Sequence, residues 1–94
     1  MRISKNEIEI IKNSILSKDK NAKVFLFGSR TDDSKRGGDI DILILSDKIS
    51  LADVIGIKVD IFNYMEEQKI DIVVAKRLDE NPFIKKISKE LVAL

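Results

Sequence analysis

Phe25-Leu26-Phe27-Gly28-Ser29 and, after nine intervening residues, Asp39-Ile40-Asp41-Ile42-Leu43-Ile44-Leu45 are the stretches that decide the fold. The first is an aromatic and aliphatic run ended by a small, flexible corner, and it reads as a strand leading into a turn. The second reads as a strand over residues 39–46. Its Ile40, Ile42 and Ile44 share one face, and Asp39, Asp41, Leu43 and Leu45 share the other, because side chains alternate along a strand. Both faces are largely apolar, which predicts a central strand covered on both sides for part of its length. Asp is a poor strand former, so two of them opening an apolar strand ask for an explanation. They project together, and two carboxylates held that close repel each other and invite a divalent cation. The Gly28-Ser29 corner offers backbone N–H groups and a hydroxyl, the groups a polyphosphate needs. The combination points to metal-assisted phosphoryl or nucleotidyl transfer.

Working outward, Ser4 and Glu7 fit a capping box, with Ile3 and Ile8 placed as a hydrophobic staple. Ile8, Ile11 and Ile15 continue an apolar stripe, so residues 5–18 read as a helix. Residues 22–27 form the strand before the corner, and residues 28–38 a loop or short helical turn closed by Gly37-Gly38. Residues 51–67 carry two patterns: a helix capped by Ser50 with Leu51, Val54, Ile55, Ile61, Phe62 and Met65 on one face, or a strand alternating through Ile55, Ile57, Val59 and Ile61. Length and the polar ending favour the helix, which would hold Tyr64 half-buried. Residues 69–75 read as a third strand carrying Asp71. Asn81 and Pro82 supply the N-cap and first position of a last helix, with Ile84, Ile87, Leu91 and Leu94 on its apolar side. The expected order is α-β-turn-β-α-β-α, an α/β (α+β) fold with a small mixed sheet packed by helices. It reads as one domain over residues 1–94.

Composition removes several chemistries. The chain has neither cysteine nor histidine, so disulfides, thiolate metal sites and Ser-His-Asp arrangements are excluded. The formal net charge is +1, which leaves no strong footprint for nucleic acid or an anionic membrane. No apolar run approaches a membrane span and none follows Met1 as in a signal peptide, so a cytoplasmic setting is expected. Catalysis would have to run on carboxylates, lysine, arginine, hydroxyls and backbone.

Asp71 is the expected third carboxylate. If its strand lies beside the second, it joins Asp39 and Asp41 at one edge, an oxygen-rich setting that Mg²⁺ prefers. Two such ions would activate the attacking hydroxyl and steady the leaving pyrophosphate, with Asp71 as a ligand or as the base. Asp60, in a similar local setting, competes for this role. Only 19 residues separate it from Asp41, tight for a helical crossover, whereas the 30 to Asp71 fit. Arg30, Lys35 and Arg36 are candidates to pair with the phosphates, although Asp32 and Asp33 sit among them.

Gly28-Ser29-Arg30, the spacer, Gly38-Asp39-Ile40-Asp41-Ile42-Leu43 and Lys69-Ile70-Asp71-Ile72-Val73 resemble the minimal nucleotidyltransferases (MNT proteins) of the DNA polymerase β-like superfamily. The spacer is one residue shorter than is common in their antitoxin group. The resemblance implies a polymerase β-like fold, ATP as substrate and Mg²⁺. By motif match Asp39 and Asp41 bind metal, Asp71 completes the triad, and Gly28 and Ser29, with Arg30 beside them, hold the triphosphate. It also implies a HEPN-domain ribonuclease toxin as partner, whose tyrosine receives AMP, in a toxin–antitoxin pair. A chain this short supplies one wall of a nucleotide cleft, so the acceptor or a second copy of the chain is expected to complete it. Exposed apolar surface on helix 51–67 or the last helix would be the docking face. Two other functions stay open: an antitoxin that blocks its partner by contact alone, and nucleotidyl transfer to a small molecule or an RNA 3′ end.

Overall fold

The computed structural model describes residues 3–32, 34, 38–66 and 68–94. Among them the elements run α1 (Lys5–Leu16), β1 (Lys23–Phe27), a 3-10 turn (Gly28–Thr31), β2 (Ile40–Leu45), α2 (Leu51–Phe62), β3 (Ile70–Ala75), α3 (Pro82–Ile87), a second 3-10 turn (Ser88–Glu90) and β4 (Val92–Ala93). The sheet order is β3-β2-β1-β4. β1 pairs antiparallel with β2 and β4, whereas β2 and β3 are parallel. A parallel pair needs a crossover, and α2 supplies it. That settles residues 51–62 as helix.

Alternation along the strands sorts the core into two layers. Val24 and Leu26, Ile40, Ile42 and Ile44, and Ile70 face α1 and α2, where Ile11, Ile15, Ile57 and Ile61 meet them. Phe27, Leu43 and Ala75 face the other way, onto Ile84 and Ile87 of α3. β2 is thus central and covered on both faces, as its sequence predicts. Each isoleucine wholly removed from water adds on the order of 1.5–3 kcal/mol of favourable transfer energy.

Local signals set the helix starts. The capping box of α1 is present: Ser4 Oγ accepts from Glu7 N at 3.1 Å and Glu7 Oε1 accepts from Ser4 N at 2.9 Å. Ser50 and Asp53 form a second box on α2, and Asn81 Oδ1 accepts from Ile84 N at 3.0 Å to start α3. At the far end of β2, the buried Asp19 accepts from Ser46 Oγ at 2.7 Å and from Asn21 N at 3.0 Å. These two donors hold its carboxyl below the usual range.

Four expectations need correction. First, α1 ends at Leu16, two residues early. Second, α2 ends at Phe62, so Tyr64 lies in a turn and is 71% exposed instead of half-buried in a helix. Third, Leu51 and Ile55 are not on the inward face. With Val59 they form an exposed stripe, 85%, 68% and 58% accessible, because Ile57 and Ile61 already fill the contact with the sheet. Fourth, the last helix stops at Ile87, and Leu91 and Leu94 are not on it. The chain turns and Val92–Ala93 pairs with β1. This gives backbone partners to a sheet edge that would otherwise be open. Leu91 then packs on the α3 side of the sheet, and Val92 and Leu94 on the α1–α2 side.

Leu26, fully buried in β1, tests the layered core. Leu26→Ala should lower the unfolding free energy in urea by about 2–5 kcal/mol. A loss below about 0.5 kcal/mol, the range of surface substitutions, would contradict its placement.

Candidate active site

Strand register builds the site. Asp41 of β2 lies directly beside Asp71 of β3, and Phe27 of β1 lies on its other flank. Cross-strand neighbours project to one face, here the α3 face. α3 covers Leu43 and Ala75 further along and leaves both aspartates half-buried. Asp41 and Asp71 are in carboxyl–carboxyl contact, an arrangement that needs a proton or a cation between them. Burial first, then the charges of Asp71 and Asp39, push the Asp41 carboxyl above the usual range.

The corner after β1 closes over this pair. Gly28 has φ +78°, a left-handed conformation, and a Cβ there would collide with Oδ2 of Asp41 and stand 3.2 Å from its Cγ. Only glycine meets both conditions. The 3-10 turn that follows is tied by Thr31 Oγ1 donating to the Gly28 carbonyl at 2.7 Å and Asp32 N to the Ser29 carbonyl at 3.1 Å. Ser29 sits half-buried within it.

Asp39 is engaged differently. Its Oδ2 lies 3.4 Å from Lys69 Nζ. Hydrogen bonding and charge from Asp39, then the charges of Asp71 and Asp41, hold the Lys69 ammonium above its usual range. Among the described residues no group of three acidic side chains converges as a metal-holding cluster. The structure therefore brings Asp41 and Asp71 together and leaves Asp39 turned to a lysine. Asp60 is remote: it lies on α2 beside a depression lined by Ser17, Lys18, Gly56, Val59 and Asn63. Asp71, by contrast, lines a cleft of about 470 Å³ with Lys58, Phe62, Gln68, Lys69 and Ile70.

Arg30 spans its own loop. Its Nε donates to the Gly38 carbonyl and its second terminal nitrogen to Gln68 Oε1, both at 3.3 Å, and Gln68 Nε2 donates to Glu7 Oε2 at 3.3 Å. The chain from α1 to the corner to the entry of β3 is thereby cross-linked by side chains. Asp33, Lys35, Arg36 and Gly37 lie outside the described residues.

Three residues at this end carry no role in the sequence reading: Lys69, Gln68 and Phe83. The signal for Lys69 and Gln68 is their position just before Ile70-Asp71. Phe83 follows Asn81-Pro82; its ring meets Phe27 edge-on, centroids 6.3 Å apart, and is half exposed beside the aspartate row. A divalent cation fits the donors present. They are carboxylate oxygens only, the hard set that suits Mg²⁺, and two of them already stand in contact. Asp41 and Asp71, with the neighbouring Asp39, are the residues that would hold it.

With this geometry in view, a family model described as a nucleotidyltransferase domain matches residues 8–94. The chain belongs to that family. Comparison with curated proteins finds no match. Membership places the chain in the DNA polymerase β-like superfamily, and the three helices on a four-stranded mixed sheet are consistent with a nucleotidyltransferase fold. Its reaction class is nucleotidyl transfer, a chemistry that in this family generally uses a nucleoside triphosphate and a divalent metal. Among the described residues of this nucleotidyltransferase domain no helix is long and apolar enough to cross a membrane.

The strained pair predicts a stability gain from its removal. A carboxyl raised in the folded state is stabilising when protonated, and that contribution is lost as pH rises through the folded pKa. In chelator at pH ~7, Asp41→Asn should therefore melt a few degrees above the wild type, and the gain should vanish near pH ~3, where both carry a neutral side chain. A lower melting temperature at neutral pH would contradict the raised carboxyl.

Proposed function

We propose that this nucleotidyltransferase domain is a Mg²⁺-dependent protein adenylyltransferase. It moves AMP from ATP to a tyrosine hydroxyl of a HEPN-domain toxin and so acts as the antitoxin of a toxin–antitoxin pair. The observation that carries the reading is the Asp41–Asp71 pair roofed by Gly28. The motif resemblance to MNT antitoxins supplies the partner and the base.

In this reading Asp39, Asp41 and Asp71 would hold Mg²⁺, which when bound would supply charge neutralisation for the phosphates, the acceptor hydroxyl and the pyrophosphate. Gly28 and Ser29 hold the triphosphate through the turn's N–H groups and hydroxyl, and Arg30 fixes the loop that carries them. The acceptor oxygen forms its bond to the α-phosphorus as the bond from that phosphorus to the bridging oxygen breaks. The pyrophosphate leaves with that electron pair, and Asp71 takes the hydroxyl proton. The exposed Leu51, Ile55 and Val59 stripe on α2 is the docking face for the partner. The same stripe favours the second reading, neutralisation by contact alone. The setting would be cytoplasmic.

Transfer of label from α-³²P-ATP with Mg²⁺ to a purified HEPN-domain toxin separates the readings. Wild type should label the partner, and Asp41→Asn or Asp71→Asn should lower the rate about 100-fold or more while still forming the complex. Neutralisation of the toxin by unlabelling variants would instead support contact blocking.

A further inference from the structure

Lys69 stands beside Asp39, one of the candidate metal ligands. It precedes the edge strand β3, and its side chain is 70% exposed, against 41% for that of Asp39. Its carbonyl accepts from Ile40 N at 3.2 Å, which anchors the backbone at the start of the parallel pair. The side chain, by contrast, contributes to no core cluster. The ammonium meets Asp39 at 3.4 Å from an exposed side chain whose backbone is anchored. An ammonium has three donors and no lone pair, so it satisfies a carboxylate without serving as a ligand. It is also a monovalent charge in a place where a divalent cation fits.

This pairing accounts for the incomplete acidic cluster. Asp41 and Asp71 are neighbours by register, whereas Asp39 precedes β2 and is paired with Lys69. We infer that Lys69 is a positioning residue that competes with the metal, holding Asp39 aside in the metal-free protein and yielding that carboxylate when a divalent cation binds. The inference rests on the metal reading of the proposed function and adds to it a built-in counter-ion that sets the affinity. The cleft of about 470 Å³ lined by Lys58, Phe62, Gln68, Lys69, Ile70 and Asp71 gives the released ammonium a solvated place beside Asp71. An exposed ion pair is a weak competitor, so the metal displaces it readily and the effect on affinity is modest.

Titration of the whole chain with Mn²⁺ alone, without nucleotide and followed by electron paramagnetic resonance, tests this. At about 0.1 M ionic strength, Lys69→Met should bind Mn²⁺ about two- to fivefold more tightly than wild type, and Lys69→Arg should stay at the wild-type value. Lys76→Met is the control: it lies at the other end of β3, roughly 23 Å along the strand and beyond the screening length of about 10 Å, and should change nothing. Equal or weaker binding by Lys69→Met overturns the inference, as does the same gain from Lys76→Met. Absence of Mn²⁺ binding from every protein, even after a non-hydrolysable ATP analogue is added, overturns the metal reading itself and this inference with it.

Discussion

The parallel register of β2 against β3 is the constraint on which the rest depends. It places Asp41 beside Asp71, and no side-chain rearrangement can separate two residues that share a rung of the ladder. The flanking isoleucines hold that rung. Ile40, Ile42 and Ile70 are buried against α1 and α2, and a slip of one residue would send all of them to the wrong face. Core packing thus enforces a contact that electrostatics alone would dissolve. The carboxylates are kept half-buried and side by side, an arrangement that a proton or a cation between them would relieve.

The corner over the pair follows from the same rung. Phe27 is the antiparallel partner of Asp41, so the residue after it arrives directly above the carboxylate. Gly28 is there because a Cβ would meet Oδ2 and because φ is positive. Arg30, Gln68 and Glu7 then tie the loop to the start of α1 and the entry to β3. The opposite end of β2 shows a different logic. There Asp19 is satisfied by Ser46 and Asn21, and the cavity of about 290 Å³ beside it, lined partly by Lys23, Lys48 and Lys76, contains none of the site aspartates. Asp19 braces the fold through its two donors, whereas the Asp41–Asp71 pair is set side by side by the strand register.

Much of this was legible in the chain because it depends on period and spacing. The alternation from Ile40 to Leu45 sets the two faces, and the distance from Asp41 to Asp71 leaves room for a crossover helix that Asp60 would not. What was not legible depends on competition among tertiary contacts. Ile84, Ile87, Leu91 and Leu94 fit a helical stripe, yet the open edge of β1 draws Val92–Ala93 into a strand. Leu51 and Ile55 fit an inward face until Ile57 and Ile61 occupy it. The Asp39–Lys69 pair is set by side-chain torsions of residues far apart in sequence, and no local pattern encodes it.

The most direct test of the central claim is paramagnetic broadening of amide resonances by Mn²⁺ bound with a non-hydrolysable ATP analogue. The account predicts selective loss of signals from residues 28–31, 39–41 and 70–72. Amides near Asp19 and Ser46 should remain sharper, since Ser46 lies roughly 17 Å along β2 from Asp41. Broadening centred on Asp60 or on the Asp19–Ser46 end, with the Asp41–Asp71 rung untouched, would contradict it.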